Sequence, residues 1–279
     1  MRFLRERIGQ VLLYVVLTLL AILFLVPVAW IISSSLKQNS QIYHLPPIWI
    51  PNLVMWVNYI NAFKLVPLAG YGLNSLIVAG LSTLGSVLSC SLVAFSLSRL
   101  RWRGRNTLFM MVLGTMMLPT VVTLVPSFII YTKLHWLDTW LPLIIPSWFG
   151  ANAFYIFLLR QFMLGIPIEL DEAARMDGAS SLRILFQIIF PLSRPALATV
   201  VIFAFLGSYN DLLYPAMYLT TPSKYTLPMG LYSMAGTYGN YWPAVMAASV
   251  MMTLPILLIF VLFQNQFIQG IQMTGLSGR

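Results

Sequence analysis

The acidic side chains of this chain are concentrated in one short segment. Of the seven Asp and Glu residues, four lie in the run Glu-Leu-Asp-Glu-Ala-Ala-Arg-Met-Asp-Gly that begins at Glu169 and ends at Gly178. Hydrophobic residues make up 59% of the chain and charged residues 8%, so this charged run interrupts a mostly apolar sequence. A polar segment of this length in an apolar protein indicates a surface that binds a partner.

A second group of polar residues lies within an apolar stretch near the C-terminal third of the chain. Asp211 is the only charged residue in that stretch, and Tyr209, Asn210 and Tyr214 stand beside it. Aromatic faces next to carboxylate and amide groups suit a sugar, whose C–H faces pack on rings and whose hydroxyls donate to oxygen acceptors. An ionisable residue in a membrane span is a functional hypothesis by default. The alternative is a packing or interfacial cluster in which Asp211 reaches outward to water.

Residues for other kinds of chemistry are missing or isolated in the sequence. The sequence contains no G-x-x-x-x-G-K-[ST] motif, so it predicts no ATP hydrolysis by this chain. His44 and His135 have no His or Cys near them, which predicts no metal site, and Cys90 lies alone in an apolar run. Asp138, near His135, is expected to be a solvated loop residue. We therefore expect no catalytic residues, no metal and no cofactor.

The composition indicates an integral membrane protein, because a soluble domain carries about 25% charged residues. A spanning helix needs about 20 mostly apolar residues, and six stretches qualify. They are residues 8–33, 71–97, 106–132, 141–159, 195–219 and 242–267. The stretch Gln38–Phe63 also lacks charge, but its three prolines favour an irregular external segment. The sequence thus predicts an all-α protein whose residues 1–279 form a single transmembrane domain with six transmembrane helices.

The distribution of cations supports six spans. With that number, all twelve arginines fall on one side and all four lysines on the other. Because arginine and lysine favour cytoplasmic loops, the larger arginine set places both termini in the cytoplasm of a prokaryotic cell. The basic turn Ser98–Arg105 is expected to be an ordinary cytoplasmic loop, and the net charge of +9 indicates contact with anionic lipids and not with nucleic acid.

Two short helices are predicted in the segment 165–192. Pro167 and the acidic residues after it favour a helix start, Gly178 can end that helix in a left-handed conformation, and Ser180 or Ser181 can cap the next. The second helix should bury one face and stop at Pro191. The residues of that expected face are Leu182, Leu185, Phe186 and Ile189.

This segment resembles the loop by which permease subunits of ATP-binding-cassette importers dock on their ATPase. The family pattern is Glu-Ala-Ala, three residues, Gly, nine residues, then Ile-x-Leu-Pro. Here Glu172-Ala173-Ala174, Gly178 and Ile188-Ile189-Phe190-Pro191 keep every spacing, with Phe190 in place of Leu. The resemblance implies the architecture of a type I importer permease, with a coupling-helix loop between spans 4 and 5. It implies the docking residues Glu169, Glu172, Ala173, Ala174, Asp177 and Gly178.

The run from Glu172 to Tyr214 is also similar to the carbohydrate branch of these importers, the maltose- and glycerol-phosphate-type permeases. That likeness implies half of a translocation path for a sugar or oligosaccharide, with Tyr209, Asn210, Asp211 and Tyr214 along it. Implied partners are two ATPase subunits, a second and different permease, and an extracellular binding protein. In the relatives the C-terminal tail, here Met273–Gly278, touches the ATPase.

Three other functions compete with this interpretation. A permease of the same superfamily could carry an amino acid, a peptide or a glycerol-phosphate. A secondary transporter would need ionisable residues near mid-membrane, and Asp211, about 25 Å along a helix from Arg194 at ~1.5 Å per residue, would lie too far out. A membrane enzyme would need a catalytic constellation that the sequence lacks. The docking segment could also be a surface hairpin without a partner.

Overall fold

The computed structural model of this 279-residue chain describes residues 2–150 and 152–276. Side chains are described for residues 7, 9–150, 152–262 and 264. The described residues form helices and connecting segments. All side chains of the tail Met273–Gly278, which the sequence predicts to touch the ATPase, therefore lie outside the described residues.

Fifteen α-helices are named in chain order among the described residues. The first eight are α1 Arg2–Ser35, α2 Asn39–Ile42, α3 Val57–Leu65, α4 Leu68–Arg99, α5 Arg105–Thr115, α6 Thr120–Lys133, α7 Leu141–Ile144 and α8 Ala153–Leu164. The others are α9 Glu169–Met176, α10 Ser181–Ile184, α11 Phe190–Leu192, α12 Arg194–Tyr209, α13 Leu213–Tyr218, α14 Leu227–Thr237 and α15 Trp242–Leu276. Two 3₁₀ turns, Ile145–Phe149 and Pro222–Lys224, and one π-helical segment, Leu185–Ile189, lie between them.

The prediction of an all-helical protein with long apolar helices is confirmed. Within the described part of the chain, four helical segments are long and apolar enough to cross a membrane. They are Gly9–Ser35, Leu68–Arg99, Leu141–Leu164 and Trp242–Leu262. Two further pairs of helices, α5 with α6 and Ser181–Leu192 with α12, pass the same test but bend by 98° and 85°. Counting each bent pair as one span raises the number to six.

Three of the expected spans are not continuous helices. The fourth, residues 141–159, consists of α7, a 3₁₀ turn and the start of α8. The third, Asn106–Thr132, breaks between Thr115 and Thr120, where Pro119 precedes α6 and cannot donate a backbone hydrogen bond. The fifth, Pro195–Leu219, ends as a helix at Tyr209, and a short helix begins only at Leu213. The expected position of Asp211 along one straight helix is therefore wrong, because the residue lies in the break.

The chain divides into two compact units, which are considered separately. The first contains residues 1–68 and 231–254. In it the amide of Asn58 donates to the carbonyls of Ser35 and Lys37, each at 2.9 Å, which holds α3 against the end of α1. The ammonium of Lys37 is fully buried and lies 3.8 Å from the ring centre of Trp30. The expected irregular segment Gln38–Phe63 thus contains short helices, and the buried cation Lys37 directly precedes it.

The second unit contains residues 69–230 and 255–279. Its core is a cluster of buried side chains from α4, α5, α8, α12 and the segment 165–192. Central members are Leu97, Leu159, Met163, Leu185 and Val200, all 1% exposed or less. The docking segment predicted from the sequence therefore packs into the same core as the apolar helices around it.

Serines of α4 donate hydrogen bonds to the backbone of α7 and of the 3₁₀ turn after it, in the first half of the expected fourth span. Ser82 donates to the carbonyl of Leu143 at 3.0 Å, and Ser89 donates to that of Ser147 at 2.8 Å. Gly85, between them, leaves room for Trp148, whose ring would be 2.5 Å from an added Cβ. Backbone groups outside a regular helix need partners in an apolar environment, and this face of α4 supplies them.

That residues 1–279 form a single transmembrane domain remains a prediction.

Candidate functional site

Helix α9, in the segment predicted to dock, is attached to the end of α4 by a buried ion pair. Nε of Arg99 lies 3.2 Å from Oδ2 of Asp171, and the two side chains are only 3% and 2% exposed. The same guanidinium donates to the carbonyls of Ile166 and Pro167 at 2.8 and 3.2 Å. Arg99 therefore binds both the helix and the chain that leads into it. The expectation that the turn Ser98–Arg105 is an ordinary basic loop is wrong for this residue.

The electrostatics of this pair follow from its enclosure. Burial raises the pKa of the Asp171 carboxyl above its ordinary value, and the charge of Arg99 acts against that shift. Both groups give up hydration, so loss of either partner would leave an uncompensated charge in the core. The pair therefore makes the position of α9 depend on α4.

The turn after α9 has the predicted conformation. Gly178 has φ +79°, its N–H donates to the carbonyl of Arg175, and an added Cβ would meet nothing within 4 Å. Of the two predicted caps, Ser180 is the one used, since its hydroxyl accepts the N–H of Arg183 at 3.3 Å. The left-handed glycine ends one helix and the serine begins the next.

The expected docking residues are mostly on the surface. Glu169, Glu172, Ala173, Asp177 and Gly178 are exposed, whereas Ala174 is half-buried and packs against the core. The described chain shows α9 with its small and acidic side chains turned outward. Its remaining acidic residue, Asp171, faces the core instead.

The second helix of the segment differs from its prediction in two ways. Leu185 and Ile189 are buried as expected, but Leu182 and Phe186 are 58% and 47% exposed and Ile184 takes a place in the core. The segment also contains a π-helical turn, Leu185–Ile189, which departs from the regular α-helical spacing assumed in the prediction.

The helix also continues past the residue expected to stop it. Pro191 lies inside α11, which ends one residue later at Leu192, and the backbone N–H of Ser193 donates to the carbonyl of Ile189 at 2.8 Å. A proline ring normally clashes with the carbonyl four residues earlier, and the wide π turn just before it moves that carbonyl away. Leu182 and Phe186 are left as an exposed apolar pair beside the docking helix.

The four residues expected along the substrate path divide into two pairs. Asp211 and Tyr214 line a cavity of about 440 Å³. Tyr209 is 1% exposed and stacks on Phe205 with ring centres 5.4 Å apart, and Asn210 is exposed, with its amide donating to the carbonyl of Leu206. The structure therefore brings two of the predicted residues together at the cavity and gives the other two structural contacts.

The cavity lies within the second unit and is lined largely by hydroxyl groups. Ser86 and Ser208 contribute hydroxyls from α4 and α12, and Ser127 and Tyr218, whose oxygens lie 3.0 Å apart, contribute from α6 and α13. Among the lining residues that the structure describes, Asp211 is the only charged one. One of its oxygens accepts the N–H of Tyr214 at 3.3 Å, so the carboxylate begins the short helix α13.

A structural site that sequence reasoning missed surrounds Asp138. Its carboxylate accepts the N–H groups of Thr220 and Thr221 at 2.9 Å each, the hydroxyl of Thr221 at 2.6 Å, and the ammonium of Lys224 at 2.9 Å. These bonds, with that of the Thr221 hydroxyl strongest, hold the pKa of Asp138 well below its ordinary value. The residue is not simply solvated, although its partners lie more than 80 positions away and leave no local signal.

The comparisons with known proteins identify the class of molecule to which this geometry belongs. A family model described as "Binding-protein-dependent transport system inner membrane component" matches residues 85–273. The chain is a member of that family. The match includes the docking segment and the cavity residues from Ser86 onward. As such an inner membrane component, the chain is a multi-pass membrane protein that works with a binding protein and a separate ATPase, and is not itself an enzyme.

Several full-length relatives support this assignment. The chain is 32% identical to the arabinooligosaccharides transport system permease protein AraQ of Bacillus subtilis over 263 residues, covering 93% of each chain. It is 31% identical to the trehalose/maltose transport system permease protein MalG of Thermococcus litoralis over 276 residues, covering 98% of this chain and 99% of that one. The predicted resemblance to this family of permeases is confirmed.

A solved structure shares the fold. The crystal structure of a bacterial ABC transporter involved in the import of the acidic polysaccharide alginate matches with a TM-score of 0.79 and 25% identity. The match covers 94% of this chain and 97% of the other. The inner membrane component described here therefore has the fold of an importer permease.

Proposed function

We propose that this chain is the permease subunit that forms half of a carbohydrate translocation path, in a complex with two ATPase subunits and a second, different permease. An extracellular binding protein delivers the substrate. The observation that carries the proposal is α9: a short helix with exposed small and acidic residues, attached through Arg99 to a long apolar helix. Movement of an ATPase against α9 would be passed to α4.

The residues of the docking surface are those expected from the sequence. Five of them are exposed on or next to α9, and Ala174 packs against the core beneath them. The exposed residues are Glu169, Glu172, Ala173, Asp177 and Gly178. Small side chains allow a partner surface to approach closely, and the exposed apolar pair Leu182 and Phe186 extends the contact. Exposed apolar side chains next to a polar rim are typical of protein interfaces.

The proposed topology has six spans with both termini in the cytoplasm. Four helices are long enough alone, and the two bent pairs supply the other two. The arrangement places Arg99 and α9 on the cytoplasmic side, where an ATPase is found. It places Asp138 with its partners on the outer side, consistent with the partition of arginine and lysine.

Carbohydrate is the proposed substrate class. Relatives named for arabinooligosaccharides and for trehalose and maltose match over nearly the whole chain. The cavity supplies hydroxyls, aromatic rings and one carboxylate, which are groups that bind sugar hydroxyls. The relatives are named for neutral oligosaccharides and the solved structure for an acidic polysaccharide. The comparisons therefore leave open whether the sugar is charged.

The test is co-purification of the ATPase with variants of the permease complex. Ala173→Trp puts a large side chain on the exposed face of α9, so we expect the ATPase to be lost while the two permeases stay together. Ala216→Trp makes the same change at an exposed position on α13 and should retain the ATPase. Normal ATPase recovery and saccharide-stimulated ATP hydrolysis with Ala173→Trp would refute the docking surface.

A further inference from the structure

The cavity of the second unit has the carboxylate of Asp211 in its wall. The lining combines serine, threonine and tyrosine hydroxyls with a single carboxylate, that of Asp211. In the part of the chain that the structure describes, ion pairs join Arg99 to Asp171 and Lys224 to Asp138, and none involves Asp211. The carboxylate therefore gives the cavity a negative potential that no neighbouring side chain neutralises.

The geometry holds this charge at the cavity wall. The residue lies in the break between α12 and α13, and the N–H of Tyr214 bonds Oδ1 at 3.3 Å. Tyr214 stacks on Tyr218, with ring centres 6.0 Å apart and ring planes 19° from parallel. Phe128 stacks on the same Tyr218 ring, with planes 17° from parallel. The carboxylate and the neighbouring rings thus keep a fixed arrangement at one side of the space.

We infer that this cavity is a saccharide-binding site of this subunit that accepts an uncharged sugar unit and discriminates against an acidic one. The inference rests on the proposed function and narrows its substrate class. Sugar hydroxyls donate to Asp211, and a hydrogen bond to a charged acceptor is stronger than one to a neutral acceptor. A uronate or sulfonate in the same position meets the like charge of Asp211, and like charges at close range repel each other.

The size and chemistry of the cavity suit this role. A volume of about 440 Å³ lies in the range of small-molecule sites, which is about 300–1,000 Å³. The hydroxyls of Ser86 and Ser208 can each donate and accept, so they match sugar hydroxyls in either orientation. The described lining residues include no Lys, Arg or His that could bind an acidic group.

The experiment places a reporter thiol in the cavity of the assembled complex. Ser208→Cys, on a Cys90→Ala background, is treated with cationic, neutral and anionic methanethiosulfonates of similar size. We expect the cationic reagent to react about tenfold faster than the anionic one, relative to their rates with a free thiol. Asp211→Asn should remove most of this difference, and Asp211→Glu should keep it.

Protection of the same thiol tests sugar binding. The probes are neutral oligosaccharides of glucose, galactose and arabinose, and oligosaccharides of the corresponding uronic acids. We expect protection by at least one neutral probe and by none of the uronates, with protection weakened about tenfold by Asp211→Asn. Equal protection by uronates, absence of protection by every saccharide, or equal rates for the two charged reagents would each overturn the inference.

The outcome is separable from that of the proposed function. ATPase recovery with Ala173→Trp is measured on the same preparations. If the docking test succeeds and the thiol shows no charge preference, only the saccharide site is lost. If Ala173→Trp retains the ATPase, the docking assignment fails whatever the cavity does. Unchanged recovery of both permeases in each Asp211 variant confirms that the complex has assembled.

Discussion

Arg99 and Asp171 form a buried ion pair between the last residue of α4 and the docking helix α9. Nε and Oδ2 are 3.2 Å apart, and both side chains are nearly inaccessible to solvent. Because the two residues come from segments 72 positions apart in sequence, the contact sets how a long apolar helix meets the surface proposed to receive the ATPase. A buried ion pair contributes little net stability compared with an apolar pair of similar size. Removing only one of its two charges is costly, because the other charge is left buried without a partner.

Asp171→Ala should destabilise the complex and uncouple it. Removing one partner of a buried pair costs about 3–5 kcal/mol, and we expect lower thermal stability with a loss of saccharide-stimulated ATP hydrolysis. The check is thermal unfolding of the purified complex together with its ATPase rate. Glu172→Gln, an exposed neighbour, should change stability by less than about 0.5 kcal/mol.

The double variant Arg99→Met with Asp171→Leu separates stability from coupling. Replacing both charges by apolar groups should recover most of the stability that Asp171→Ala loses. If the ion pair also orients α9, coupling should stay impaired while the melting temperature recovers. A single Asp171→Ala variant as stable as the wild type would contradict the assignment of the pair.

Gly178→Val should impair transport without preventing membrane insertion. The backbone there has φ +79°, and a side chain at positive φ costs about 1–2 kcal/mol even where space is open. The helix end should shift and the docking surface with it. Gly80→Ala, in α4 and also with open space around an added Cβ, is the matched control. Transport per inserted complex is the measurement, and equal rates for both variants would reject this role.

Asp138 should make the outer part of the second unit sensitive to acid. Its pKa is lowered in the folded state by hydrogen bonds from Thr221, Lys224 and Thr220. A depressed folded pKa gives stability that is present above the ordinary value, about 3.9, and is lost as the pH falls below it. The protection of the backbone amides of residues 220–224 against hydrogen exchange, relative to their intrinsic rates at each pH, should therefore fall below about pH 4. Asp138→Asn should show fast exchange already at neutral pH, and an unchanged exchange rate would exclude the clamp.

Thiol labelling in intact cells tests the six-span topology. On a Cys90→Ala background, a membrane-impermeant reagent should modify His135→Cys and spare Arg103→Cys. Both positions are exposed in the structure, so accessibility of the side chain itself does not distinguish them. Labelling of both after the cells are made permeable is the control. Modification of position 103 from outside would reverse the orientation.

The fold class and the docking segment could be predicted because their signals are local. Apolar stretches of about 20 residues mark spanning helices, and the turn at Gly178 needs only a residue that tolerates positive φ. The cap at Ser180 and the acidic start of α9 follow from the same short-range rules. These features depend on residues a few positions apart, and the structure has them where the sequence places them.

Features set by distant contacts could not be predicted in this way. Asp138 binds residues 82 to 86 positions later, and Arg99 binds α9 across a comparable distance, so neither has a local pattern. The break at Asp211 and the π turn before Pro191 each depend on how neighbouring helices pack. An apolar run without charge looks continuous in sequence even where the backbone bends, as it does before α6.

The clamp at Asp138 closes the chain between it and Thr221 into a loop, with the docking helix near the middle of that loop. The paired positions are 83 residues apart in sequence, and the two ends of the loop are held by several hydrogen bonds and one ion pair. Both ends of this segment are therefore held together, and α9 lies near its middle. A force applied at α9 would then reach α8 and α12 through the chain, in addition to α4 through the Arg99–Asp171 pair.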